Sequence, residues 1–101
     1  MTTTELIRLD NGYAEGTMVP ALAGEGHANL LVIRCARGFL MCGYLSLEKA
    51  EQLGDAAVRV AGSSFDKVLT NKITGMTPAA EALGITPGMS GREAAGILNR
   101  Q

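Results

Sequence analysis

The sequence predicts an α+β fold: a small mixed, mainly antiparallel β-sheet formed by the N-terminal two-thirds of the chain and covered on one face by short helices. Three observations predict it. Leu30-Leu31-Val32-Ile33 and Gly38-Phe39-Leu40-Met41-Cys42-Gly43 are apolar runs of strand length separated by a few turn residues. Asp10-Asn11-Gly12 carries an Asn-Gly pair between two segments of extended character, a strong hairpin signal. After Gly43 the chain divides into short stretches that open on helix caps and stop at glycine.

Taken in order, Glu5 to Leu9 and Tyr13 to Val19 form the first hairpin, with both Asn11 and Gly12 suited to positive φ in its turn and Gly16 placed as a bulge. Pro20 to Gly26 is Ala- and Gly-rich without a period and reads as a loop, with His27 where it meets the next strand. Leu30–Ile33 and Phe39–Met41 form the central hairpin. With Ala36-Arg37-Gly38 as its turn, Cys35 lies opposite Phe39 and Cys42 opposite Val32, on different faces, so the expectation is two reduced thiols and no disulfide.

Ser46 caps a short helix through Leu53, with Leu47 and Leu53 facing inward and Gly54 as its stop. Ala56 to Ala61 returns as a strand parallel to the Phe39 strand, because a strand-helix-strand unit crosses over in that sense. Ser63, with Asp66 three residues on, caps a helix through Leu69 that turns Val68 and Leu69 inward. Thr77-Pro78 opens another helix that ends at Gly84, and Ser90 with Glu93 makes a capping box for the last.

The pattern of the central hairpin carries a consequence for assembly. One face would hold Leu30, Val32, Leu40 and Cys42 and the other Leu31, Ile33, Phe39 and Met41, so apolar residues point both ways. Helices from so short a chain cover one face. The other calls for the N-terminal strands or another subunit, and a homo-oligomer is expected.

Composition bounds the rest. A chain of 101 residues has room for one domain. Hydrophobic residues are 47% but aromatics only 4%, with no tryptophan, so aliphatic side chains and methionine fill the core. The net charge of −1, with Lys and Arg scattered among acids, argues against nucleic acid as a partner. No apolar run approaches the roughly 18 residues of a membrane span, and Thr2-Thr3-Thr4-Glu5 does not open like a signal peptide, so a cytoplasmic location is expected.

Asn29-Leu30, Gly38 through Leu45, the helix ending Leu53-Gly54, the strand ending at Gly62, and Leu83-Gly84-Ile85-Thr86-Pro87-Gly88-Met89-Ser90-Gly91-Arg92-Glu93-Ala94 together resemble the YunC-like proteins, a bacterial and archaeal group catalogued as domain of unknown function 1805. The likeness covers most of the chain from about Asn29 on, making residues 29–101 the family core and 1–28 an N-terminal hairpin and loop. What it implies is a small α+β domain whose N-terminal β region takes part in multimer formation, a tetramer among the sizes in view. It implies no particular activity. Where relatives continue with Gly-Val after the Val58 strand, this chain has Gly62-Ser63.

Among residues that could carry chemistry, Cys42 is the strongest nucleophile, but a thiol in an apolar strand with no neighbouring cation is more often a packing residue. His27, Asn29 and Cys42 could together serve a thiol-dependent enzyme, though no local signature supports one. Asn29 either lines a polar pocket or satisfies a strand entrance. Gly43 permits close approach of a ligand or of another backbone, and Tyr44 lies within reach of the same end of the hairpin, so Asn29, Gly43 and Tyr44 are the candidate ligand-binding residues. One histidine and two separated cysteines lack zinc-ligand spacing, so no metal and no cofactor are expected. Gly84 to Gly91 leads to a helix start beside Arg92 and could hold an anion, but the capping box competes for the same amides. The favoured reading is a homo-oligomeric module that binds a small molecule or protein near the central hairpin. A thiol-dependent enzyme using Cys42 with His27 and a purely structural assembly subunit are the competitors.

Overall fold

The computed structural model describes residues 3–19, 30–42, 47–62 and 64–100. Six strands, β1 (Thr3–Leu9), β2 (Gly12–Val19), β3 (Leu30–Arg34), β4 (Phe39–Met41), β5 (Ala57–Val60) and β6 (Ile73–Met76), form one sheet in sequence order. Every neighbouring pair is antiparallel except β4–β5, which is parallel, as the crossover through α1 (Leu47–Leu53) requires. Three more helices follow: α2 (Phe65–Thr70), α3 (Pro78–Ala82) and α4 (Gly91–Leu98). This is the expected α+β architecture.

The first hairpin forms as expected, with Leu9 opposite Gly12 across Asp10-Asn11. Its turn differs in detail. Neither Asp10 nor Asn11 takes positive φ; Gly12 does, at 136°. Gly16 is not a bulge, since the register runs unbroken from Thr3↔Met18 to Leu9↔Gly12. The site is tightly packed, since a Cβ there would lie 2.6 Å from Ile7 Cδ1 and 2.9 Å from the Phe65 ring and would oblige those side chains to shift.

The central hairpin is one residue tighter than expected. Cys35 N–H donates to Gly38 C=O at 2.7 Å, leaving Ala36-Arg37 as the turn, and Val32 pairs with Met41 and Ile33 with Leu40. Gly38 immediately precedes β4, pressed so closely on Ala56 that a Cβ would meet its carbonyl oxygen at 2.1 Å. A shift of one residue exchanges faces. Leu31, Ile33, Leu40 and Cys42 therefore share one side of the sheet, and Leu30, Val32, Phe39 and Met41 the other. Cys42 falls opposite Leu31 and Cys35 opposite Gly38, and neither cysteine is in a disulfide.

On the first side lies the main core, where Ile7, Leu9, Leu31, Ile33, Leu40, Val58 and Val60 meet Val68 and Leu69 of α2, Ala80 of α3, Ile85, and Ala94, Ala95 and Leu98 of α4. Each large aliphatic side chain removed from water here contributes about 1.5–3 kcal/mol. Helix α4 buries positions 91, 94, 95 and 98, the stripe an amphipathic helix presents. Gly91 lets it reach α2, since a Cβ would stand 1.9 Å from Val68 O. On the other side α1 packs Leu47 and Ala50 on Phe39, Met41 and Ala57 of β4 and β5, with Leu47 reaching Gly75 of β6.

Three local expectations are corrected. Leu53 is exposed, because six helical residues from Leu47 is about two-thirds of a turn round the axis. The cap of α2 is Ser64, whose Oγ accepts from Lys67 N–H, and not Ser63. A sixth strand, Ile73–Met76, extends the sheet beyond the expected two-thirds of the chain. It has no alternation to announce it, and its Gly75 lies close under α1, where a Cβ would stand 2.7 Å from Leu47 Cδ1. The expected inward Val68 and Leu69, the Thr77-Pro78 start of α3 and the Ser90–Glu93 capping box all stand. The proposed Ser46 cap and the Pro20–Gly26 loop lie outside the described residues.

Candidate functional site

Cys42 follows β4 on the core side and is 4% exposed. Its Sγ accepts the Leu31 N–H at 3.2 Å. The tight hairpin decides this, since it turns Cys42 under the helices. A thiol so placed is shielded from a substrate in solution. His27, Asn29, Gly43 and Tyr44, the other candidates, lie outside the described residues. Cys35 is half-buried, and burial pushes its thiol up to about 11, which makes it a poor nucleophile near neutral pH.

The glycine-containing approach to α4 does not form an anion nest. Gly91 N–H donates to Asn71 C=O at 2.9 Å and Glu93 N–H to Ser90 Oγ at 3.2 Å, while Ser90 N–H donates to Glu93 Oε1 at 3.2 Å. Gly84 and Gly88 take positive φ in the preceding turns, at 107° and 92°. Backbone geometry and close packing thus account for Gly38, Gly84, Gly88 and Gly91, four glycines of the sequence motifs.

Two further features of the surface become visible. The first is a cleft of about 480 Å³ between the β1–β2 turn and α4, with Leu9, Met89 and Ile97 along its floor and Asp10, Arg92, Glu93 and Arg100 around it. The end of α4 is clamped beside it. Asn11 Nδ2 donates to Gly96 C=O at 2.9 Å, Asn99 Oδ1 accepts from Ala36 N–H at 3.0 Å, and Arg37 N–H donates to Leu98 C=O at 2.7 Å. Only the spacing of Arg92 and Arg100 could have hinted at the cleft, because the β1–β2 turn is more than 80 residues away in sequence.

The second feature is the side of the sheet that α1 leaves open. Leu6 is 74% exposed, Tyr13 62% and Val19 41%, and all three project from this side, beside the partly buried Leu30 and Val32. Glu15 and Arg34 pair across neighbouring strands at 3.8 Å on the same face. The β1 edge runs alongside. Cys35 N–H donates to Gly38 C=O and Leu31 C=O accepts from Cys42 N–H, so the main-chain groups of Leu31, Ile33 and Cys35 face β4; alternation then turns those of Leu30, Val32 and Arg34 to β2, and those of Thr3, Glu5, Ile7 and Leu9 of β1 to β2 in turn. The main-chain groups of Thr4, Leu6 and Arg8 therefore point outward from the sheet.

Among the described residues no set of three His, Cys, Asp or Glu side chains converges to hold a metal ion. No helix among them is long and apolar enough to cross a membrane.

Comparison with known proteins places the chain in a family. The family model described as Domain of unknown function (DUF1805) matches residues 41–97. Over 71 residues the chain is 39% identical to the uncharacterized protein YunC of Bacillus subtilis, an overlap covering 65% of this chain and 70% of that one. Its structure superposes with a TM-score of 0.86, at 31% identity, on the crystal structure of TA1206, a protein of unknown function from Thermoplasma acidophilum, covering 97% of this chain and 93% of the other.

Proposed function

The chain belongs to the YunC-like family of domains of unknown function, DUF1805, and for this member we propose a cytoplasmic, self-associating module that buries the open side of β1–β3 against further copies of itself and binds a small molecule or protein beside the assembled strands. The observation that carries this reading is the grouping of Leu6, Tyr13 and Val19 on one side of the sheet, next to an edge strand with outward main-chain groups. Apolar side chains concentrated this way favour removal from water, and a symmetric pairing of identical faces achieves it without a second gene product. The exposed Glu15–Arg34 pair supplies a polar rim that can fix register. The N-terminal multimerising region implied by the family resemblance falls on the same strands.

Sedimentation velocity at micromolar concentration tests it. The wild type is expected to sediment as an oligomer, and Leu6→Glu with Tyr13→Glu as a monomer with an unchanged circular dichroism spectrum. A wild type that remains monomeric throughout that range overturns the proposal. The thiol-enzyme reading gains nothing from the buried position of Cys42.

A further inference from the structure

We propose that the cleft between the β1–β2 turn and α4 is a binding site for a small dianion with an apolar spacer, of the α,ω-dicarboxylate class. Its volume of about 480 Å³ is that of a small-ligand site. Leu9 is buried at its floor, with half-buried Met89 and Ile97 beside it, so the middle of the cleft favours methylene groups over charge. Arg92 and Arg100 border the same cleft. Eight residues separate them along α4 and its last turn, about 12 Å at the helical rise per residue.

Neither guanidinium has a hydrogen-bond or ion-pair partner among the described residues. Arg92 is also in the first turn of α4, where the helix end is partially positive and a cation is unfavourable. A bound carboxylate offsets both the repulsion and the missing partner. Guanidinium binds carboxylate through a planar fork, which favours that anion over a halide.

Two carboxylates line the cleft as well. Glu93 is held by the capping box through Oε1. Asp10, on the β1–β2 turn, faces the ligand with like charge, and this supplies a test of opposite sign. The site shares neither Leu6, Tyr13 nor Val19 with the open sheet face, so it stands independently of self-association.

Titration of the full chain with azelate at constant ionic strength, followed by amide nitrogen-proton correlation spectra, reads this directly. Saturable shifts are expected at Asn11, Gly96 and Ile97, with weaker binding of succinate, which lacks the spacer, and of nonanoate, which lacks the second charge. Arg92→Gln and Arg100→Gln should each weaken azelate about three- to tenfold, the scale of one partly exposed charged hydrogen bond. Asp10→Asn should tighten it. Azelate binding that is no stronger than succinate or nonanoate binding, or that survives unchanged in the Arg92→Gln, Arg100→Gln double variant, overturns the proposal.

Discussion

Thr77 is the residue whose replacement should be felt furthest from its own position. It is 1% exposed, and its hydroxyl makes three contacts: it donates to Asp55 C=O at 2.7 Å and accepts from Ala57 N–H at 3.0 Å and Ala80 N–H at 3.3 Å. Thr77 N–H donates in turn to Ala57 C=O at 2.9 Å. The side chain thus stands in for the Thr77 carbonyl at the end of the β5–β6 ladder, which frees the backbone to turn into α3 while it caps that helix. Thr77→Val keeps shape and removes the oxygen. A buried Ala57 N–H without an acceptor costs about 1–3 kcal/mol and the lost cap about 1 kcal/mol, so about 2–4 kcal/mol together. Thr77→Ser keeps the oxygen and loses one methyl, about 1 kcal/mol. At about 4–8 °C per kcal/mol for a domain of this size, the valine variant should lose at least about 8 °C in Tm and the serine variant about half that or less. Calorimetry decides: a valine variant at least as stable as the serine variant would falsify the assignment of Thr77 as a hydrogen-bonding hinge.

Two further outcomes follow from packing and burial. Gly91→Ala should cost about 2–3 kcal/mol in urea denaturation, since its Cβ meets the Val68 main chain, whereas Gly96→Ala in the same helix, with nothing within 4 Å, should gain up to about 1 kcal/mol; equal effects would contradict the close α2–α4 contact. Native iodoacetamide labelling near neutral pH should be slow at both Cys35 and Cys42 and fast after denaturation, and rapid native labelling of Cys42 would revive the thiol-enzyme reading. Because burial raises Cys35 from 9.0 to about 11 in the folded state, its contribution to stability is complete below about pH 9 and is lost as pH rises toward 11. The difference in Tm between wild type and Cys35→Ala should therefore shrink across that window, and a difference independent of pH would count against burial as the cause.

Local signals proved sound where the physics is local. The Thr77-Pro78 start, the Ser90–Glu93 capping box and the first hairpin each depend on residues within a few positions, and each is present, while the parallel return of β5 follows from the handed crossover of a strand-helix-strand unit. Register was less legible. Nothing in Ala36-Arg37-Gly38 says whether Gly38 ends the turn or begins the strand; the backbone of Ala56, nearly twenty residues on, decides it by leaving no room for a side chain. That single step moved Cys42 under the helices beside Leu31. Strand β6 was hidden for a related reason, since Ile73–Met76 pairs because β5 offers it an edge, without a strong preference of its own.

By itself the sequence determined the α+β class, the order of most elements, the Thr77 and Ser90 caps and the family, because these rest on periodicity, capping chemistry and motif spacing. Tertiary structure alone decided which residues share a face, that Gly38, Gly84, Gly88 and Gly91 answer to close packing and turn geometry, and that Arg92 and Arg100 border the same cleft as Asp10. The physical reason is the separation along the chain. A cap closes over three residues, whereas the cleft joins a turn near residue 10 to a helix near residue 95, and only the packed core holds them together.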